Sequence, residues 1–186
     1  MRKLFWIAAA VLTALATHTA FILLVPGFTL KLAMARASAA AGENRFFIMS
    51  GADQIRLFPT YPGASVIGAC AFNVAKGPIE LAANLPDGFW TLTIYSSTGE
   101  VIYAVNDSQT GTGSFTVNLV RAPGLLEMLS SSAADDPDSF NGYKVKTVDP
   151  RGLAVLWQPV PEPALRSRIT RSIAATICRS APKQTS

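Results

Sequence analysis

Residues 89–106, FWTLTIYSSTGEVIYAVN, predict two β-strands that fold back on each other through a tight turn. Hydrophobic side chains recur at every second position in 89–95 and again in 101–105, which is the period of pleated backbone. Residues 96–99 supply the turn, and Gly99 suits a position that requires positive φ. Because both faces of each strand carry apolar residues, we expect this hairpin to lie in the middle of a sheet that is covered on both sides.

The composition predicts one folded domain behind an apolar N-terminus. The chain has 186 residues, of which 49% are hydrophobic. Without the first forty or so, roughly 140 residues remain, enough for one core but not for two. The formal net charge is +4, yet most lysines and arginines are scattered among the twelve carboxylates. No basic stripe alternates with stacking aromatics, so we expect no nucleic-acid binding.

Residues 1–27 predict a transmembrane anchor. Residues 4–25 include no charged side chain, and a helix of that length spans about 33 Å, enough to cross a bilayer. Arg2 and Lys3 favour a cytoplasmic N-terminus, which places the rest of the chain in the periplasm of a bacterial inner membrane. The alternative is a cleaved signal peptide, because residues 33–35 and 35–37 have the small-x-small pattern of cleavage sites.

The remaining residues predict a β-rich domain with a helix at each end. We expect a helical linker at 28–42, an exported domain at 43–180 and a tail at 181–186. Short apolar segments predict seven or eight strands, including a second hairpin formed by 143–148 and 153–157. Residues 161–178 have helical periodicity. The predicted fold is an antiparallel β-sandwich or curled sheet covered by this C-terminal helix.

The central hairpin and its flanks, residues 86–107, resemble the proteins of domain-of-unknown-function family 1254 in their short, membrane-anchored form. Those proteins share an aromatic pair that opens one strand, a tyrosine that ends it, a glycine turn, and a return strand that ends in an Asn-Asp pair. The matching residues here are Phe89, Trp90, Tyr95, Gly99, Tyr103, Asn106 and Asp107. The strand around Cys70 and the turn at Gly77 and Pro78 are also similar, and the likeness covers most of the chain.

The resemblance implies an exported β-rich protein that works with a second small anchored protein, from domain-of-unknown-function family 1214. It brings no reaction, cofactor or catalytic residue. Ala71 stands where the family pattern leads us to expect an arginine or another polar residue. That departure argues against a reactive polar group beside Cys70.

Cys70 and Cys178 are the two cysteines of the chain. In an oxidising compartment they can form a disulfide, and the alternative is one buried thiol and one incidental thiol. His18, the single histidine, lies within the predicted span. The exported domain therefore has no histidine to activate a cysteine or serine nucleophile or to bind zinc.

Two groups of acidic residues suggest catalysis or metal binding, although exposed turns would also explain them. Glu80, Asp87, Glu100 and Asp107 flank predicted strands, and two of them in one cleft would permit glycosidase-like catalysis, although exposed turn carboxylates are commoner. Residues 135–142, DDPDSFNG, suggest calcium, but a phenylalanine occupies a ligand position and the bidentate glutamate is missing. We therefore expect no metal site and no enzyme.

The aromatic residues can be interpreted either as part of the hydrophobic core or as the lining of a ligand slot. A sandwich can open between its sheets to hold a lipid or another apolar molecule, with tyrosine hydroxyls fixing the ligand's orientation. Our candidates for this slot are Trp90, Tyr95, Tyr103 and Trp157. The favoured function is an interaction module in an envelope complex. The alternatives are an apolar-ligand protein and a carboxylate-dependent enzyme.

Overall fold

The N-terminal helix is one continuous element. The computed structural model describes residues 2–59, 61–86, 88–111, 113–124 and 142–181. Helix α1 runs from Arg2 to Ala41, so the predicted anchor and linker form a single rod with no break at residues 26–27. Gly42, with φ of 89°, follows the last helical residue, as predicted for a helix stop.

The described residues form nine strands, four α-helices and two short 3-10 turns. In chain order the elements are α1 Arg2–Ala41, β1 Phe46–Ile48, α2 Gly51–Leu57, β2 Ser65–Asn73, a 3-10 turn Val74–Lys76, β3 Ile79–Asn84, β4 Thr91–Ser96, β5 Val101–Asn106, α3 Asp107–Thr110, β6 Ser114–Arg121, β7 Tyr143–Thr147, β8 Arg151–Pro159, a 3-10 turn Pro163–Leu165, α4 Arg166–Ala174 and β9 Ile177–Ser180.

The strands build two packed sheets. The five-stranded sheet has the order β1-β2-β8-β4-β5 and is antiparallel throughout. The four-stranded sheet has the order β7-β6-β3-β9 and is mixed, because β7 runs parallel to β6. The prediction of a mainly-β, sandwich-like fold with a helix at each end is confirmed.

The predicted position of the 89–106 hairpin was wrong. Its two strands, β4 and β5, lie at one side of the five-stranded sheet, and β5 is the edge strand. The central strand is β8, which pairs with β2 and β4; β8 and β2 are each nine residues long. Every residue of β2 is buried, because the second sheet covers one of its faces and α1 covers the other. Burial on both faces therefore belongs to the longer apolar runs.

The predicted second hairpin was also wrong. Strands β7 and β8 lie in different sheets, so residues 148–150 form a connection between sheets. Thr147 Oγ1 donates to the Asp149 carbonyl at 2.8 Å, and Asp149 accepts from the Arg151 amide at 3.1 Å. These bonds make a local turn, but a turn sequence does not specify whether the next strand returns to the same sheet.

The C-terminal helix is shorter than predicted. Helix α4 ends at Ala174, and Cys178 lies on strand β9, which pairs with β3. Ile169 and Ile173 face the core from α4, as their spacing predicted. The prediction of a helix to Cys178 failed because an unfilled edge of β3 takes residues 177–180 as a strand. The tail predicted at 181–186 lies outside the described residues except for Ala181.

Two hydrophobic cores lie on opposite faces of the five-stranded sheet. The inner core fills the space between the sheets and includes Phe72, Trp90 and Leu119. The outer core lies under α1, whose Leu30, Ala33 and Ala37 pack against β2 and β8; its buried members on those strands are Ile67, Ala69, Ala71, Leu153 and Val155. The C-terminal half of α1 is therefore part of the folded domain.

The N-terminal half of α1 extends away from this core. An 18-residue window of α1 has a mean hydropathy of 2.0, and none of that window is buried in the domain. Among the described residues, α1 is the one helix that is long and apolar enough to cross a membrane. A signal sequence meets the same criterion.

Candidate functional site

The two cysteines are joined across the sandwich. Cys70 lies in β2 of the five-stranded sheet, and Cys178 lies in β9 of the four-stranded sheet. Their sulfurs are bonded, and their Cα atoms are 6.5 Å apart. Both side chains belong to the inner core, where neither retains a free thiol. The pair is a structural cross-link between sheets and is not a reactive site.

The four residues predicted to line one ligand slot lie on two faces of the five-stranded sheet. Trp90 is fully buried in the inner core, where its ring centroid lies 5.2 Å from that of Phe115. Tyr103 also packs against the inner core. Tyr95 and Trp157 pack against the outer core on the opposite face. The sheet separates the two pairs, so the four side chains do not line a common slot.

Trp157 belongs instead to a strip of aromatic rings on the outer face. Its ring centroid lies 5.5 Å from that of Tyr61 and 5.6 Å from that of Phe89. Phe58 extends the strip beyond Tyr61, at 5.8 Å. Burial, with the neighbouring Tyr95 as a further cause, raises the pKa of Tyr61 to about 12. The Tyr61 phenol therefore remains protonated at physiological pH and does not act as a base.

The described carboxylates do not converge. Glu80 lies in β3 and pairs with Arg179 at 2.9 Å. Glu100 lies in the β4–β5 turn, whereas Asp107 begins α3 beyond the opposite end of β5. The fourth candidate, Asp87, lies outside the described residues. Glu100 and Asp107 therefore lie at opposite ends of β5, and Glu80 lies in the other sheet, so these positions offer no pair for acid–base catalysis.

The metal and membrane candidates give no site. The described residues contain no group of three or more His, Cys, Asp or Glu side chains that could hold an ion. The acidic segment considered for calcium falls at 135–141, outside the described residues, with only Gly142 within them. His18 lies on the exposed half of α1.

A first cavity, of about 590 Å³, lies between α2, the segment before β2, and α4. Its walls are mainly apolar and include Ile55, Phe58 and Val66. Two polar side chains in the wall already have partners: Arg166 donates to the Ser65 carbonyl at 3.5 Å, and Gln54 donates to the Met49 carbonyl at 3.1 Å.

A second cavity, of about 280 Å³, lies at one end of the sandwich. The β3–β4 connection, the end of β8 and helix α4 meet there. Sequence reasoning missed this site. Gln158 was a usable signal, because it is a polar residue at an inward position of the apolar strand 153–157 and its continuation.

Strand β5 is an open sheet edge within the described residues, because no other described strand pairs with its outer side. In an antiparallel ladder, bonded pairs alternate along the strand, and the Asp107 amide donates to the Trp90 carbonyl just beyond the end of β5. By this alternation Tyr103 and Val105 bond to β4, while Ala104 directs its amide and carbonyl groups away from it. Val101 is 53% exposed.

The other edge strands are protected in ways that β5 is not. Strand β1 has three residues, β7 carries Lys144 and Lys146, and β9 carries Arg179. Short length and charged side chains discourage pairing with another strand. Strand β5 has six residues, with no charge and no proline, and its one irregularity is a register shift with β4 near its first residues. Among the described strands it is therefore the edge best suited to accept a further strand.

The open edge begins close to the apolar half of α1. The β4–β5 turn touches α1, since a Cβ atom at Gly27 would lie 3.3 Å from the Thr98 carbonyl oxygen. Residues 4–24, immediately before Gly27, belong to the exposed half of the helix. The turn that leads into β5 thus lies where α1 leaves the domain.

Comparisons with known proteins identify the fold alone. No family model matches the chain, and no curated protein matches it in sequence. The structure is similar to that of the VPA0106 protein from Vibrio parahaemolyticus, with a TM-score of 0.58 and 13% identity. The match covers 90% of this chain and 40% of that one. A protein from Burkholderia cenocepacia gives a TM-score of 0.46 and 14% identity, with 68% and 36% of the two chains covered.

Proposed function

We propose that this protein is an interaction module of a bacterial envelope complex. In this proposal α1 anchors it in the inner membrane with a cytoplasmic N-terminus, and the sandwich lies in the periplasm. A partner adds a strand to the open edge of β5. The observation that carries the proposal is this uncharged edge strand, which begins beside the apolar half of α1.

The packing of α1 supports an uncleaved anchor. Cleavage at the small-residue sites near 35 or 37 would remove Leu30 and Ala33 from the outer core. Cleavage after residue 37 would also remove Arg36, which pairs with Asp53 of α2 at 2.6 Å. Loss of buried apolar side chains leaves a cavity or an exposed patch and lowers stability. The burial of these residues in the domain therefore favours an anchor that stays attached.

The continuity of α1 supports a partner in the same membrane. A helix that packs on the domain and continues into the bilayer holds the sandwich close to the membrane surface. A partner that is itself anchored would encounter β5 at high effective concentration, because both proteins are confined to one surface. The disulfide fits this location, since such bonds persist in oxidising compartments.

The partner in this proposal is a second small anchored protein, as the resemblance to domain-of-unknown-function family 1254 implies. The matched fold accounts for 40% of the Vibrio chain, so in that protein it is part of a longer polypeptide.

Recovery of the complex tests the proposal. The full chain carries a C-terminal tag in its native membrane and is purified in mild detergent. We expect one anchored envelope protein in stoichiometric amount. Ala104→Pro removes an outward amide without breaking the β4–β5 ladder, so this variant should lose the partner, whereas Ala104→Ser should retain it. Recovery of the tagged protein alone, or equal recovery with Ala104→Pro, would overturn the proposal.

Topology has a separate test. Alkaline phosphatase fused to the C-terminus should be active, and green fluorescent protein exported there through the general secretory route should be dark. Intact mass spectrometry should give a chain that retains residues 30–41. A C-terminal reporter that works only in the cytosol contradicts the periplasmic assignment, and a mature mass that begins after residue 35 contradicts the anchor.

A further inference from the structure

The second cavity is a partly open cleft with mainly apolar walls, three of whose residues are prolines. Pro86 and Phe89 come from the β3–β4 connection, Pro159 and Pro161 from the end of β8, and Leu165 and Ile169 from the last helical segment. Proline has a fixed φ and little conformational freedom to lose when a ligand binds. A volume of about 280 Å³ is just below the usual range of about 300–1,000 Å³ for ligand sites. The site therefore suits a small molecule and is too small for a whole lipid.

Gln158 places an unsatisfied polar group at this cavity. Its side chain lines the cavity, and the residue is 2% exposed. The Oε1 atom is buried and has no hydrogen-bond partner. Buried polar atoms are nearly always bonded, because leaving one without a partner costs free energy. An N–H or O–H donor on a bound molecule would satisfy this oxygen.

Arg168 supplies a positive charge at the same cavity. It lies in α4, on the solvent side of the helix, and lines the cavity with Ile169. Within the described ranges no ion pair includes Arg168; the pairs formed there are Arg36–Asp53, Arg151–Glu43 and Arg179–Glu80. A guanidinium can hold a carboxylate through two parallel hydrogen bonds.

We propose that this cavity binds a small amphiphilic carboxylic acid. The carboxylate pairs with Arg168, an amide or hydroxyl donor bonds to Gln158 Oε1, and an apolar ring or chain packs against Phe89 and the prolines. The arrangement matches the general pattern of ligand sites, in which apolar walls give affinity and a few polar groups fix orientation. This site is distinct from the β5 edge and does not depend on the proposed complex.

A series of three compounds tests each contact. The full chain in lipid nanodiscs is titrated calorimetrically with N-acetyl-L-phenylalanine, which has all three features. N-acetyl-L-phenylalaninamide lacks the carboxylate, and 3-phenylpropionate lacks the amide. We expect saturable binding of the first compound, weakened about tenfold or more in each of the other two.

Two variants assign the contacts to residues. Arg168→Gln should weaken the two acids about tenfold and leave the affinity for the amide unchanged. Arg171→Gln is the matched control, because Arg171 is exposed on the same helix but does not line the cavity. Gln158→Met should weaken N-acetyl-L-phenylalanine but not 3-phenylpropionate. Because Arg168 is exposed, its variant should fold, so the carboxylate contact can still be tested if the variant of the buried Gln158 does not fold.

Two results would overturn the assignment. One is that N-acetyl-L-phenylalanine shows no saturable binding at concentrations up to about 10 mM, because a dissociation constant above that value is too weak for a specific site of this kind. The other is an equal effect of Arg168→Gln and Arg171→Gln, which would mean that the acids are attracted by the positive charge of the helix as a whole and not by Arg168 in the cavity.

Discussion

Cys70 of β2 and Cys178 of β9 form a disulfide that joins the two sheets; the two residues are 108 positions apart in sequence, and their Cα atoms are 6.5 Å apart. A cross-link over so long a loop restricts the unfolded chain and contributes about 4 to 5 kcal/mol in the loop-entropy model. Because both cysteines are buried in the inner core, the bond also fixes the two sheets at their common interior.

Removing this disulfide should lower stability without changing the fold. For Cys70→Ala combined with Cys178→Ala we expect a loss of about 2–5 kcal/mol in the free energy of unfolding, measured by urea denaturation. Wild-type protein unfolded with a reducing agent present should lose a similar amount. Mass mapping without reduction should find one Cys70–Cys178 peptide pair, and two free thiols in exported protein would contradict the cross-link.

Gly152 lies in the five-stranded sheet, at the glycine position that has the least room there for a side chain. A Cβ atom there would overlap the Tyr95 carbonyl oxygen and the Phe72 ring. Since Gly152 pairs with both β2 and β4, the backbone cannot move aside without breaking a ladder. Gly152→Ala should cost about 1–3 kcal/mol of stability in thermal unfolding.

Gly63→Ala is the control for this substitution. A Cβ atom at Gly63 meets nothing within 4 Å, and the residue is exposed. Gly63→Ala should be neutral within about 0.5 kcal/mol. Equal melting temperatures for the two variants would show that close packing at Gly152 does not determine stability.

Asp53 links helix α2 to α1 and makes their contact sensitive to acid. The Ser50 hydroxyl donates to one carboxylate oxygen at 2.8 Å, and Arg36 of α1 donates to the other at 2.6 Å. These two groups, in that order, hold the pKa of Asp53 below its ordinary value of 3.8. A lowered pKa gives stability that is present above pH 3.8 and is lost as the pH falls through the folded-state value.

Asp53→Asn should remove this part of the pH dependence. We expect the variant to melt below wild type at pH 6 and the difference to shrink as the pH falls below about 4. The measurement is a series of thermal melts between pH 2.5 and 6 in one salt concentration. A difference that stays constant over the whole range would assign the effect of the variant to packing and not to the charge.

The sequence predicted most strands because their apolar periodicity is local. Residues 89–95, 101–105, 143–148 and 153–157 all became strands within two residues of the predicted ends. Pairing was predicted less well, because it depends on contacts between distant segments. The residues around Ser97 illustrate this: its amide donates to Asp149 at 3.0 Å, which ties the β4–β5 turn to the β7–β8 connection, 52 positions away.

The disulfide could be predicted and the cavity could not, for related reasons. A pair of cysteines in an exported chain has few alternatives, so composition alone points to the bond. The second cavity arises where three segments meet, and its prolines read in sequence only as turn residues. Gln158 and Arg168 line the same cavity because β8 ends and α4 begins at the same side of the sandwich, which no local pattern encodes.

The last prediction concerns how α1 is attached to the domain. Ala37 is 1% exposed and lies against the five-stranded sheet, so its small side chain allows the helix to approach closely. Ala37→Leu should force the helix away from the sheet and cost about 1–3 kcal/mol in urea unfolding, because a packed core resists added volume. Ala35→Leu adds the same volume on the exposed side of α1 and should be neutral.

In limited proteolysis the Ala37 variant should be cut within residues 30–41 while wild type is protected, because the displaced helix no longer shields its backbone. Equal stability and equal protection of both variants would mean that α1 is only a tether and that its C-terminal half is not part of the packed domain.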